Sequence, residues 1–133
     1  MFCPVLKKGE IISNRQLMNI FHCACEGGIR YATKTDTIVL VINNTKMGRP
    51  NKREGNKIFF AGQPMKGGMS GANKRLEQFL RENKNIYLFE VNEPGRYQYC
   101  GEIKKGGEEI IKHTGDGTAY PVFLLQLPDE QDS

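Results

Sequence analysis

Two basic, glycine-containing segments bracket a short aromatic stretch in the middle of the chain. The first covers residues 45–56, the second covers 66–75, and Phe59 and Phe60 lie between them. Lys and Arg side chains neutralise phosphates, and the face of an aromatic ring can stack on a base. These residue types together are typical of a nucleic-acid-binding surface. Because side chains alternate along a strand, only one of the two phenylalanines is expected to face the core.

The positive charge of the chain is concentrated in this same region. The 133 residues include 19 Lys and Arg and 15 Asp and Glu, for a formal net charge of +4. Between Lys46 and Lys84, ten basic residues accompany three acidic ones, so this segment carries +7 and the remainder −3. Such an asymmetry indicates a polyanion-binding surface. Charge alone leaves a solvated, lysine-rich loop as the alternative.

The cysteines and histidines do not form a strong metal-binding pattern. His22, Cys23 and Cys25 offer three ligand side chains within four residues, but a tetrahedral zinc site needs further ligands. Small buried thiols at the end of a helix are the simpler interpretation. The sequence therefore predicts no metal and no cofactor.

Nucleotide-binding and nucleophile motifs are missing from the sequence. It contains no P-loop, no GxGxxG and no GxSxG. Glu90, Glu102 and His113 are the residues that an enzyme acting on a nucleotide would use, but their spacing shows no pairing of acid and base. We therefore expect a binding module and not an enzyme.

Apolar periodicity predicts the elements that position the basic segments. Ser13 and Gln16 fit a capping box, and the helix that follows is expected to end near residues 22–25. The β-branched stretch 37–42 predicts a strand buried on both faces. Residues 43–56 have no apolar period and are predicted to form a long loop.

A second helix, capped by Ser70, is predicted from the helical spacing of Leu76, Phe79 and Leu80. Strands are predicted at 57–61, 86–91, 96–103, 110–111 and 120–127, with turns at 92–95 and 105–107. Strands outnumber helices, which indicates an α+β domain with a small, highly curved sheet or barrel flanked by two helices. This domain is expected to cover residues 1–127, and 128–133 is expected to be an acidic tail or the start of a linker.

No apolar stretch approaches the roughly 20 residues that a membrane-spanning helix needs. The first eight residues also lack the basic and then apolar order of a secretory signal. We therefore expect a cytoplasmic protein with no membrane partner and with free thiols.

Several short motifs follow one another in a specific order along the chain. They are Phe21 with Gly27-Gly28-Ile29-Arg30, the strand 38–42 leading to Thr45-Lys46, the stretch 55–62, Asn73-Lys74-Arg75-Leu76, and 86–91 followed by Pro94-Gly95, Tyr97, Tyr99 and Gly101. In this order and spacing, the chain resembles the SRA-type modified-cytosine-reading domain in the form found in HNH restriction endonucleases of the Mcr kind. The resemblance extends from about Ser13 to Leu127.

The resemblance implies a PUA-like curved β-barrel that binds duplex DNA and flips a 5-modified cytosine into a pocket. In that family, aromatic rings sandwich the base and a carboxylate reads its Watson–Crick edge. By this correspondence Phe60 is the sandwiching aromatic, Ala61 and Gly62 are the small residues beside it, and Asn51 takes the place of the carboxylate. The predicted pocket residues are Phe60, Asn51, Ala61, Gly62, Met47, Gly48 and Arg49.

The sequence departs from the family pattern at several pocket positions. Asn51 replaces the acidic residue, Arg53 replaces a tryptophan, and Met47, Gly48 or Arg49 stands near the place of a second aromatic. Residues 67–69 replace the usual Gly-Asp-Gln. These changes predict an altered pocket that takes a bulkier 5-substituent, such as a hydroxymethyl or glycosylated group, or one that no longer discriminates between bases.

The resemblance also assigns residues to the DNA backbone and to the gap that a flipped base would leave. They are Lys46, Lys52, Arg53, Lys66, Gly67, Gly68, Met69, Ser70, Asn73, Lys74, Arg75 and Arg30. Arg53 or Met69 is expected to enter the gap. In the family, an HNH nuclease lies elsewhere in a longer polypeptide, and a freestanding reader fits this sequence equally well. A PUA-like RNA-binding module without modified-base specificity is the alternative function.

Overall fold

Nine strands and two helices make up the part of the chain that the computed structural model describes. The described residues are 4–24, 27–45, 51–63, 71–113 and 117–127, with the backbone alone for 105–110 and 113. In chain order the elements are β1 (Ile11–Ile12), α1 (Asn14–Phe21), β2 (Ile29–Ala32), β3 (Thr37–Asn43), β4 (Lys52–Glu54), β5 (Lys57–Ala61), α2 (Gly71–Arg81), β6 (Ile86–Glu93), β7 (Arg96–Glu102), β8 (Lys105–His113) and β9 (Ala119–Gln126). None of the helices in these ranges is long and apolar enough to cross a membrane.

The chain forms two compact units, and each combines two separate segments. The first unit contains Met1–Met47 and Asn85–Glu102, and the second contains Gly48–Lys84 and Ile103–Ser133. Each unit has one sheet and one helix among the described residues. This composition confirms the predicted α+β class with more strand than helix. The described strands form two sheets and not the closed barrel that was the alternative to a curved sheet.

The sheet of the first unit has the strand order β1-β7-β6-β3-β2. β3 runs parallel to β6 and antiparallel to β2, and its side chains are buried from Thr37 to Ile42. The prediction of a strand buried on both faces is therefore confirmed. The ring of Phe21 packs against Tyr87 and Phe89 on β6, with centroid distances of 5.3 and 5.7 Å.

Helix α1 begins and ends as its sequence predicts. The Ser13 Oγ accepts a hydrogen bond from the Gln16 backbone N–H at 3.1 Å, and the Gln16 Oε1 accepts one from the Ser13 N–H at 2.8 Å. These two contacts satisfy N–H groups that have no partner within the helix. The helix ends at His22, which has a φ of 58° and donates its N–H to the Met18 carbonyl.

The sheet of the second unit is antiparallel and has the order β4-β5-β9-β8. Ile58 and Phe60 on β5 and Phe123 on β9 are almost fully buried in this unit. Helix α2 contributes Leu76, Phe79 and Leu80 to the buried residues, at the predicted helical spacing. Ser70, the predicted cap of α2, lies outside the described residues.

Two predictions of local structure in the second unit are wrong. The stretch 43–56 is not loop throughout, because Lys52–Glu54 forms β4 and pairs with β5. The predicted turn at 105–107 is instead the start of β8, with a register shift between Gly106 and Glu108. In both places the backbone is extended because it pairs with a neighbouring strand. The charged residues and glycines there do not predict a strand by themselves.

Candidate nucleic-acid interface

The predicted pocket residues in the described part of the chain lie on the β4–β5 hairpin and just beyond it. Lys52 pairs with Phe59 and Glu54 pairs with Lys57, so a two-residue turn connects the strands. Gly55 opens this turn with a φ of 62°, a conformation that side chains other than glycine rarely adopt. β5 is held on its other side by β9, and the strand therefore fixes where Phe60, Ala61 and Gly62 lie.

The two phenylalanines of β5 take opposite faces, as alternation predicts. Phe60 is only 1% exposed and lies opposite Phe123 across the sheet, whereas Phe59 is half-buried. Phe60 is therefore the residue that faces the core. A base can stack on its ring only after the groups that cover the ring have moved, so its predicted role in the sandwich remains a prediction.

Asn51 is connected to the end of β5 through its side chain. Its Oδ1 accepts a hydrogen bond from the Ala61 backbone N–H at 2.7 Å. β4 begins only at Lys52, which pairs with Phe59, so Ala61 lies beyond the last pair between β4 and β5. The Asn51 side chain takes the place of the missing backbone acceptor and fixes the position of Asn51 beside the small residues of β5.

The next two residues are held by backbone and side-chain contacts from β9 and α2. The Gly62 N–H donates to the Pro121 carbonyl at 2.8 Å. Asn73, which is 3% exposed, accepts from the Gln63 N–H and donates to the Gln63 carbonyl, both at 2.8 Å. A Cβ atom on Gly62 would lie 2.5 Å from the Asn73 Oδ1 and 2.8 Å from the Pro121 Cγ. Glycine is therefore required at this position.

These contacts assign an internal role to Asn73, which the resemblance places among the DNA-contacting residues. Both polar atoms of its side-chain amide bind the backbone of Gln63. The sequence analysis did not single out Gln63. Gln63 binds the Asn73 amide through its backbone N–H and carbonyl, and a motif of side chains does not predict such contacts. Asn73 positions the chain where it leaves β5, and a direct contact from it to DNA stays untested.

Four predicted DNA-contacting cations of the second unit are exposed. They are Lys52, Arg53, Lys74 and Arg75. The Lys52 and Lys74 side chains are 70% and 51% exposed, and they approach Glu54 and Glu77 at 3.2 and 3.9 Å. Ion pairs at such exposure stabilise a protein weakly. These lysines therefore remain accessible to phosphate groups at little energetic cost.

Arg30, which belongs to the first unit, lies inside it. The side chain is 4% exposed, its Nε donates to the Gly27 carbonyl at 2.9 Å, and its Nη1 donates to the Asn14 Oδ1 at 2.7 Å. The guanidinium carbon also lies 5.5 Å from the centre of the Tyr97 ring. A contact between Arg30 and DNA would require these bonds to break, so the structure supports a packing role for this residue.

The remaining predicted site residues lie outside the described residues. They are Lys46, Met47, Gly48, Arg49, Lys66, Gly67, Gly68, Met69 and Ser70. Within the described ranges, no group of three or more His, Cys, Asp or Glu side chains is arranged to hold a metal ion.

Comparison with solved structures finds the same fold in DNA-recognition domains. The SUVH5 SRA domain in complex with hemimethylated CG DNA is 16% identical, with a TM-score of 0.72 over 95% of this chain and 92% of that chain. The DNA recognition domain of the cytosine modification-dependent restriction endonuclease LpnPI is 14% identical, with a TM-score of 0.67 over 92% of this chain and 74% of that chain. The DNA modification-dependent restriction endonuclease AspBHI is 16% identical, with a TM-score of 0.64 over 85% and 67%.

Comparison with protein-family models and with curated proteins finds no match. The similarity is therefore one of structure, and it extends over nearly the whole chain. It agrees with the order of sequence motifs from about Ser13 to Leu127, which resembles the same domain. The chain thus has the fold of SRA domains, as its sequence motifs predict.

Proposed function

We propose that this chain is a DNA-binding module that recognises 5-modified cytosine in duplex DNA by flipping the base out of the helix. The observation that carries this proposal is the structural similarity to the SUVH5 SRA domain, which was solved with hemimethylated CG DNA. AspBHI and LpnPI, two further proteins with this fold, are described as modification-dependent restriction endonucleases. The 5-substituent is proposed to be methyl, hydroxymethyl or a glycosylated group.

The exposed cations of the second unit support DNA binding. Lys52 and Arg53 lie on β4, and Lys74 and Arg75 lie in the first half of α2. Contacts between such side chains and phosphates release counterions, which provides affinity that is independent of sequence and decreases as salt increases. Extruding a base costs a few kcal/mol, and stacking returns about 1–3 kcal/mol per base. Phosphate contacts must therefore supply most of the affinity.

The end of β5 supports reading of a single base. Ala61 has a small side chain, Gly62 has none, and the Asn51 amide lies beside them. A flipped base would reach this backbone only after the groups that fill the space beside Gly62, the Asn73 amide and the Pro121 ring, had moved. Phe60 lies directly before Ala61 and would provide a stacking face once its ring is uncovered. Burial of that ring in the free protein means that base entry requires a rearrangement.

The proposal is tested by binding to duplexes that differ only at C5 of one cytosine. Unmodified, methylated, hydroxymethylated and glucosylated duplexes are compared by fluorescence anisotropy at several salt concentrations, with an RNA duplex of the same sequence. At least one modified duplex should bind several-fold more tightly than the unmodified duplex. Equal affinity for all DNA duplexes would refute the proposal, and stronger binding to RNA would favour the RNA-binding alternative.

The stacking role of Phe60 has a matched control on the adjacent strand. Phe60 and Phe123 are both 1% exposed and lie opposite each other across the sheet. Phe60→Leu and Phe123→Leu should lower the stability by similar amounts, because each removes a buried ring from the same core. Only Phe60→Leu should reduce the preference for the modified duplex. An equal loss of preference in both variants would show that Phe60 acts through packing.

We further propose that the chain delivers a linked HNH nuclease domain to modified DNA and has no catalytic centre of its own. Recognition domains of restriction endonucleases with this fold support that role. The chain alone should therefore bind modified duplexes in the presence of Mg²⁺ and leave them intact on a denaturing gel. Cleavage that requires His113, and that persists in Phe60→Leu, would contradict the proposal.

A further inference from the structure

We propose that the acidic segment at residues 129–132 binds a cluster of cations beside the β4–β5 turn and competes there with DNA. The segment reads Asp-Glu-Gln-Asp and carries three negative charges. It lies outside the described residues, whereas the three cations, Arg53, Lys57 and Lys104, lie within them. The competition with DNA rests on the proposed function, but the contact within the chain does not depend on it.

The described chain leads directly to this turn. The Leu127 N–H donates to the carbonyl of Asn56 at 2.8 Å, and Asn56 belongs to the turn between β4 and β5. Leu127 is only 1% exposed, so the start of the acidic segment is anchored at this place. An extended chain spans at most about 3.6 Å per residue, so Asp129 must lie within about 7 Å of Leu127 and Asp132 within about 18 Å. The acidic side chains are therefore confined to the surroundings of the turn.

Three exposed cations surround the end of β9. The Arg53 Nε donates to the Gly55 carbonyl at 2.9 Å, which holds the guanidinium beside the turn. Lys57 is the first residue of β5 and pairs with Gln126, the last residue of β9. The Lys104 N–H donates to the Gln126 carbonyl at 2.9 Å on the other side of β9. The cations therefore lie on both sides of the strand that leads into the acidic segment.

The two lysines of this cluster have no acidic partner in the described part of the chain. Glu54 is opposite Lys57 in the β4–β5 ladder, but its carboxylate lies 3.2 Å from the Lys52 Nζ. Among the described residues, the Lys57 and Lys104 side chains make neither an ion pair nor a hydrogen bond. Three positive charges thus stand beside a covalently attached segment that carries three negative charges. This charge complementarity favours the acidic segment as their partner.

The covalent connection makes these weak contacts effective. A single exposed ion pair contributes little, but a short connection raises the local concentration of the partner to about the millimolar range. Arg53 is also one of the proposed DNA-contacting cations, so a phosphate must displace the acidic segment before it binds there. The segment should therefore weaken binding to modified and unmodified duplexes alike. The effect should be largest at low salt, because salt screens exposed charges.

The test neutralises the segment in the full chain with the combined variant Asp129→Asn, Glu130→Gln and Asp132→Asn. The matched control removes three exposed acids that are distant in sequence from the turn and from the segment, with Glu10→Gln, Glu82→Gln and Glu93→Gln. Both variants change the net charge by +3. A third protein combines the neutral segment with Lys57→Gln and Lys104→Gln, and a fourth carries these two lysine substitutions alone. Fluorescence anisotropy measures the affinity of each protein for modified and unmodified duplexes at low and high salt.

The neutral segment should tighten binding to both duplexes about three- to tenfold at low salt, as two or three exposed ion pairs allow. The gain should be smaller in the control, smaller in the background of the two lysine substitutions, and lost at high salt. An equal gain in the control, or an equal gain with and without the two lysines, would overturn the inference and leave the proposed function intact.

A second measurement tests the contact without DNA. Neutralising the segment should shift the NMR signals of the Lys57 and Lys104 side-chain ammonium groups and leave those of Lys74 unchanged. Unchanged signals for Lys57 and Lys104 would overturn the inference whatever the DNA measurements show. If no protein of the set binds any duplex, the proposed function fails, and shifted lysine signals would still support the contact within the chain.

Discussion

Replacement of Asn73 by aspartate should destabilise the protein through a single atom. The wild-type amide accepts from the Gln63 N–H and donates to the Gln63 carbonyl, both at 2.8 Å. Asn73→Asp keeps the first bond, because the carboxylate oxygen accepts equally well. At the second contact, however, an oxygen without a proton meets the carbonyl oxygen, and the two repel each other. The size and shape of the side chain hardly change.

The magnitude follows from the burial of Asn73, which is 3% exposed. Loss of one hydrogen bond costs about 1 kcal/mol, and a buried charge without a partner raises the total to about 3–5 kcal/mol. The loss should shrink at low pH. A protonated carboxyl can donate to the Gln63 carbonyl, so the folded state raises the pKa of the introduced group above its unfolded value. The destabilisation is then largest above the folded pKa and decreases as the pH falls through it.

Urea unfolding followed by circular dichroism at pH 7.5 and at pH 5 measures both effects. Asn92→Asp is the matched control, because Asn92 is exposed and its Oδ1 already acts as an acceptor, for Asn44. The control should change the free energy of unfolding by less than about 0.5 kcal/mol. Equal midpoints for Asn73→Asp and Asn92→Asp, or a loss for Asn73→Asp that grows as the pH falls, would refute this account of Asn73.

Three further substitutions separate packing from binding. Gly62→Ala should lower the free energy of unfolding by about 2–3 kcal/mol, because its Cβ would overlap two groups. Gly55→Ala has open space and should cost only about 1 kcal/mol for its positive φ. Equal losses in urea unfolding would contradict this difference. Lys74→Gln and Lys52→Gln should weaken binding to modified and unmodified duplexes alike. Each should reduce the slope of log affinity against log salt concentration by about 1. A loss confined to the modified duplex would argue against phosphate contacts. Arg30→Lys should lower the stability by about 2–4 kcal/mol with unchanged affinity per folded molecule, and weaker binding at unchanged stability would instead favour a DNA contact.

The elements with a local signal are the ones that the sequence predicts well. Helix α1 has a capping box at Ser13, and β3 is a continuous run of β-branched and apolar residues, so both appear at their expected places. β4 has no such signal, because Lys52–Glu54 is charged and exposed on every residue. It forms because β5 offers an unpaired edge. Charged side chains suit that outer strand, since they discourage further pairing.

The sequence likewise predicts only part of the candidate site. Alternation along β5 predicts that one of Phe59 and Phe60 faces the core, but only the structure shows that it is Phe60. The motif that contains Asn73 predicts a site residue, yet its contacts are to the Gln63 backbone. Arg30 likewise belongs to a motif and lies buried. A residue that belongs to a motif can hold the backbone instead of contacting a ligand. Sequence alone does not separate these two roles.

At the end of β5, two asparagines hold the backbone in different ways. The backbone N–H groups of Ala61, Gly62 and Gln63 each have a different partner: the Asn51 Oδ1 for the first, the Pro121 carbonyl for the second and the Asn73 Oδ1 for the third. Within the described residues, Asn73 uses both polar atoms of its amide for the backbone, whereas Asn51 uses its oxygen. An exchange of amide for carboxylate should therefore destabilise the protein at Asn73, where it removes a donor that is in use, but it should keep the hydrogen bond from the Ala61 N–H at Asn51. The same chemical change should thus have a large effect on stability at one end of this segment and a small effect at the other.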